Sequence, residues 1–146
     1  MPPTRIASGL KSTIWAAALA LLLAASPQAA MAQAASGAMA AQTSVERGVT
    51  VKVTPKAMGA SGSRWELGVV LDAHSADLND DLLQSASLTL DDGRTLKPLA
   101  WVGAGPGGHH REGVLAFEVP FPRPAAVELR IVRPGEAAPR TFRWQP

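Results

Sequence analysis

Apolar residues at every second position constrain this chain more than anything else it carries. In "RWELGVVLDAH" (64–74), Trp65, Leu67, Val69, Leu71 and Ala73 fall on one side, and Glu66, Gly68, Val70, Asp72 and His74 on the other. A period of two is the signature of a strand with one buried face. The same alternation runs through Val49, Val51 and Val53, through Ala86, Leu88 and Leu90, and through Leu115, Phe117 and Val119. It returns in Val127, Leu129 and Ile131 and in Phe142 and Trp144.

A further segment, "RTLKPLAWVG" (94–103), is less regular. Pro98 cannot donate to a ladder, which predicts an edge strand or a bulge there. "DDG" (91–93) predicts a hairpin turn with Gly93 at positive φ, and "PGE" (134–136) begins another turn. About seven short strands punctuated by turns predict an all-β fold, an immunoglobulin-like antiparallel β-sandwich, with an open barrel as the alternative. One stretch breaks the rhythm. "SADLNDDLLQS" (75–85) spaces Leu78, Leu82 and Leu83 for a helix. Asp77 as N-cap and Asp80 in the first turn predict one short helix crossing between sheets.

The N-terminus has another character. Arg5 and Lys11 precede the apolar run "IWAAALALLLAA" (14–25), and Ala30-Met31-Ala32 and Ala32-Gln33-Ala34 fit small-residue cleavage sites. The run is about a dozen residues, short of the roughly 20 a membrane-spanning helix needs. Residues 1–34 are therefore expected to be a signal peptide and the mature protein periplasmic or secreted, with no stable membrane span. Residues 35–47 are small, polar and aperiodic, which predicts a disordered leader before a single β-sandwich domain over 48–146.

Removing the signal changes the charge balance. All 12 acidic residues lie beyond position 45, and loss of Arg5 and Lys11 leaves 12 of the 14 basic residues, so the mature chain is near neutral. A clustered basic face for nucleic acid is not expected. The chain has no cysteine, so no disulfide supports it, and its core must stabilise the fold unaided.

Three histidines carry the chemistry that can be read. His74 ends a strand, with Asp72 two residues earlier on the same face, roughly 7 Å away. His109 and His110 follow a glycine-rich run, "GAGPGGHH" (103–110). Glycines there can turn both rings toward one point. If that loop meets the strand end, His74, His109 and His110, with Asp72 as ligand or acceptor, form a site for Cu(II) or Zn(II). The competing reading keeps the histidines as braces for the loop, with Arg111 and Glu112 closing it through opposite charges, in a protein that engages a periplasmic or cell-surface partner. A metal-dependent hydrolase is the weakest option.

Other features read as structural. Asp77, Asp80 and Asp81 lack the glycine and distal glutamate of a calcium loop and suit helix capping. Trp65, Phe117, Phe142 and Trp144 are expected in the core, whereas Trp101 suits either a small pocket or a clamp on the loop. No nucleophile elbow and no phosphate-binding glycine loop are present, so no catalytic residue is assigned.

The blocks Asp72-Ala73-His74-Ser75-Ala76-Asp77-Leu78 and Gly107-Gly108-His109-His110-Arg111-Glu112-Gly113-Val114-Leu115-Ala116-Phe117, with Trp101 upstream of the second, resemble those of an uncharacterised family of small exported bacterial β-sandwich domains. The resemblance covers most of 48–146. It implies one module and no particular reaction.

Overall fold

The computed structural model describes residues 39–58 and 62–146. The expected signal peptide and the first residues of the leader lie outside the described residues. Among those described, no helix is long and apolar enough to cross a membrane.

The chain forms two antiparallel sheets rather than one closed barrel. Nine strands follow in chain order: β1 (Gln42–Glu46), β2 (Val49–Ala57), β3 (Arg64–Ala73), β4 (Ala86–Leu90), β5 (Thr95–Leu96), β6 (Ala100–Gly103), β7 (His110–Glu118), β8 (Val127–Ile131) and β9 (Arg140–Trp144). Sheet A runs β1-β2-β3-β7-β6 and sheet B runs β5-β4-β8-β9. A short helix, α1 (Leu82–Ser85), lies between β3 and β4 and carries the chain from one sheet to the other.

The alternating residues behave as their period requires. Trp65, Leu67, Val69 and Leu71 of β3, Leu115 and Phe117 of β7, and Val49, Val51 and Val53 of β2 point inward, against Leu88, Leu129, Phe142 and Trp144 of sheet B. Phe142 and Trp144 stack at 6.4 Å between ring centroids. Burying such side chains stabilises by roughly 1.5–3 kcal/mol each, the main favourable term for a domain without disulfides.

Four expectations need correction. Residues 42–46 are not part of a disordered leader, because Gln42–Glu46 pair with Val49–Val53. The two-residue turn between them places Arg47 at φ 50° and Gly48 at φ 75°. This is the doubly positive φ pattern that matches strand twist in tight hairpins. Arginine at its first position gives little sign of such a turn in the sequence.

The segment 94–103 is two strands rather than one. β5 pairs with β4 in sheet B, β6 pairs with β7 in sheet A, and the chain changes sheets around Pro98. Both strands are edges, and Pro98 lies in the connection between them. The helix is a single turn, as short as expected, but its N-cap is Asp81 rather than Asp77, and Asp81 Oδ1 accepts the N–H groups of Leu83 and Gln84. Asp77 caps nothing there. Finally, His110 is not in the loop with His109, because β7 begins at His110.

Candidate functional site

The sequence-marked residues gather at one end of the sandwich, where the chain after β3 meets the loop between β6 and β7. The two segments are laced together by backbone bonds. Ala73 donates its N–H to the His109 carbonyl (2.8 Å), Leu78 donates to Gly108 (2.9 Å), and Gly107 donates back to Leu78 (2.9 Å). Gly107 and Gly108 have φ of 114° and 70°, so side chains at either position would strain this return.

The loop and strand end therefore do meet, but the rings are committed to different tasks. His110 stands opposite Asp72 in the β3–β7 ladder. Its Nδ1 lies 2.5 Å from Asp72 Oδ1 on the exposed face of sheet A. The hydrogen bond and charge of Asp72 raise the His110 pKa above its ordinary value. His109 instead sets its Nδ1 3.1 Å from the Ala76 carbonyl. His74 is exposed just past β3, with its backbone N–H 3.4 Å from the Gly48 carbonyl.

The reason is the early start of β7. Once His110 belongs to a strand, neighbouring side chains diverge, so His109 and His110 leave the backbone in different directions. Among the described residues, no group of three or more His, Cys, Asp or Glu is arranged to hold a metal ion. Asp72 and His110 are brought together as a pair, whereas the His109 ring turns to the Ala76 carbonyl and His74 is held by its backbone bond to Gly48.

Arg111 is the residue that organises this end. It is 2% exposed. Its Nη1 donates to the carbonyls of Leu78 (3.2 Å) and Asp80 (2.6 Å), and its Nη2 donates to Ala104 (3.2 Å). The guanidinium sits 5.8 Å from the centre of the Trp101 ring, an attractive cation–π contact. Trp101 Nε1 also donates to Ala104 (2.9 Å), so Trp101 clamps the loop rather than lining a pocket. Gly113 makes this possible, because a Cβ there would fall 2.6 Å from the Trp101 ring. Instead of the opposite charge expected for it, Arg111 binds three carbonyls.

A second charged group was not anticipated at all. Asp80 pairs with Arg133 at 2.9 and 3.1 Å, Arg133 reaches Glu136 at 2.8 Å, and Glu136 takes both Nε and Nη2 of Arg140 at 2.8 and 2.6 Å. All four side chains are buried. The Arg140 hydrogen bonds, followed by those of Arg133, hold the Glu136 pKa below its ordinary value against the opposing effect of burial. Each charge in the chain faces an opposite one, which is what burial demands. A cleft of about 320 Å³ lies beside it, lined in part by Arg47, Asp77 and Asn79.

The two flanks of the sandwich differ. On the flank where β1 nears β9, Gln42 accepts the Arg143 N–H at 3.1 Å and donates its amide to the Arg143 carbonyl. Arg140 donates to the carbonyls of Ser44, Glu46 and Val49 at 3.0, 2.8 and 2.9 Å. Trp144 Nε1 reaches the Ala40 carbonyl at 2.8 Å. On the other flank, β6 is the last strand of sheet A and exposes Val102 (65%), with Leu99 (58%) just before it.

Comparison with family models, with curated proteins and with solved structures gives no match to this chain. The fold alone defines its class: among the described residues, a two-sheet, all-antiparallel β domain with one short helix.

Proposed function

We propose that this is an exported, non-catalytic interaction module, an immunoglobulin-like sandwich that engages an extended polypeptide along β6. His109 and His110 brace the glycine loop in this reading. The observation that carries it is the unequal treatment of the two flanks. Side chains tie down β1 and β9, whereas β6, approached by α1, carries no charged residue and exposes Val102. Unpaired edges are templates for strand addition, and proteins that do not use them usually guard them. The exchange of strands between two antiparallel sheets supports the immunoglobulin-like assignment.

The competing metal-binding reading keeps one supporting observation, the approach of His109 to the end of β3 through the Ala73 bond. One set of titrations separates the two. An uncharged peptide of alternating valine and threonine, added to isotopically labelled mature protein, should shift the backbone amide resonances of Trp101, Val102 and Gly103. Zn(II) or Cu(II) should leave the melting temperature unchanged. Silence of those three amides, together with a stoichiometric metal-induced rise in stability that His109→Ala removes, would replace the interaction reading with the metal one.

A further inference from the structure

We infer that the segment taken up by β6 is β6 of a second copy of this chain, paired antiparallel about a two-fold axis at Val102. This rests on the reading of β6 as a binding edge and names its occupant. The direction of the backbone groups comes first. Ala104 donates its N–H to Glu112 on β7 at 3.0 Å. In an antiparallel ladder the hydrogen-bonding direction alternates. The even positions of β6 therefore face β7, and the N–H and C=O groups of Trp101 and Gly103 face away from it, where sheet A has no further strand.

A second β6 in opposite orientation matches these groups one for one. Centred on Val102, it sets Trp101 of each copy against Gly103 of the other. The N–H and C=O of both residues in both copies are then satisfied by four hydrogen bonds. Val102 faces its own image in the closer, non-hydrogen-bonded type of pair. Val102 lies opposite Val114, and Ala100 opposite Ala116, so the side chains flanking the seam on the outer face are small and apolar. The two-fold makes the contact self-complementary and closed, limiting it to a dimer.

Charge does not oppose this pairing. Residues 98–108, "PLAWVGAGPGG", contain no ionisable side chain. Lys97, the nearest residue that could guard the edge, is turned away, donating its Nζ to the Gln84 carbonyl at 2.6 Å. The near balance of charge in the mature chain removes long-range repulsion between copies. The contact is small beside the roughly 1,200 Å² of standard interfaces, so the dimer is weak and concentration-dependent.

Sedimentation equilibrium of the mature protein, taken to about 1 mM so that a contact of only some 4 kcal/mol is populated, should show a monomer–dimer equilibrium. Val102→Lys should weaken association at least tenfold while leaving the melting temperature close to that of the parent. A directional test uses the absence of native cysteine. Val102→Cys should give a disulfide-linked dimer under oxidised glutathione much faster than Val132→Cys, which places a thiol at another exposed position. A monomer at every concentration, or a dimer indifferent to Val102→Lys, overturns the inference. If the valine–threonine peptide still shifts Trp101 and Gly103 in that case, the β6 edge stands and only its occupant is wrong; if the peptide fails too, both fall.

Discussion

The two flanks of this sandwich solve the same problem in opposite ways. Every open sheet ends in a row of unpaired backbone groups. Where β1 and β9 approach, these are covered by side chains. The Gln42 amide imitates a neighbouring strand for Arg143, and the Arg140 guanidinium takes up three carbonyls of β1 and β2. At β6 the side-chain donor within 98–108, Trp101, is spent on the Ala104 carbonyl, and Lys97 is used elsewhere. The contrast teaches that an edge here is closed by particular polar side chains and not by the fold. Changing a few residues should therefore move the boundary between closed and open.

The largest change is expected at Arg140. Its side chain is fully buried and joins β9 to β1, β2 and Glu136. Arg140→Ala leaves Glu136 without one of its two arginine partners and three carbonyls without a donor. Breaking a buried pair in this way costs about 3–5 kcal/mol, a large part of a small domain's stability. Chemical denaturation should show that loss, and hydrogen exchange should show β1 opening first. The depressed pKa of Glu136 gives a pH dependence with a definite sign. Its contribution is present above the ordinary glutamate value of about 4.5 and is lost as pH falls through the lower folded value. The parent protein should lose stability in that acidic window more steeply than Arg140→Ala. Equal acid sensitivity in the two would show that the ion chain does not hold the flank.

An intermediate effect is expected at Gln42. Gln42→Ala removes two exposed hydrogen bonds, worth about 1 kcal/mol each at most. The more telling consequence is at the edge itself. With its strand mimic gone, β9 presents the Arg143 N–H and C=O, and the flank should begin to behave as β6 does. Light scattering at high concentration should show greater self-association than in the parent. This added association should persist in a Gln42→Ala, Val102→Lys double variant. If the single substitution lowers stability without changing association, the side-chain seal is only a stabilising contact and the flanks differ less than their geometry suggests.

The strands were legible because their chemistry is redundant. Every residue on the inner side of β3 repeats the same message, and six alternating stretches agree with one another. The turn at Gly93 and the edge character of the Pro98 segment were legible for a local reason, since each follows from one residue's backbone freedom. What remained hidden depended on single polar residues acting at long range. Arg111, Arg133 and Arg140 look like solvent-facing charges in the sequence, because arginine is rarely buried unless paired and its partners are far along the chain. Gln42 meets Arg143 across 101 positions. The leader was misread because β1 carries only one apolar residue, the exposed Val45, and its half-buried residues are Gln42 and Ser44, which serve a seam rather than a core. The candidate site was half legible. Asp72, His74, His109 and His110 do share one end, but whether adjacent histidines converge depends on where β7 begins, and glycine content does not decide that.

The smallest effect is expected at the pair that touches neither flank. His110 and Asp72 bridge β3 and β7 on the exposed face of sheet A, with both side chains more than half exposed. Solvent competes for such a contact, so His110→Ala should leave the melting temperature nearly unchanged. The pair nevertheless has a readable signature. Because Asp72 raises the His110 pKa, its contribution is complete below the ordinary histidine value near 6.5 and disappears as pH rises through the raised folded value. An NMR titration should therefore place His110 above 6.5, and Asp72→Asn should bring it back toward that value. Neither variant should alter the association expected at β6 or the seal at β9. If either does, the outer face of sheet A communicates with its edges, and the flanks cannot be treated as independently closed and open. If neither does, the His110–Asp72 pair is a local contact of the outer face, independent of both flanks.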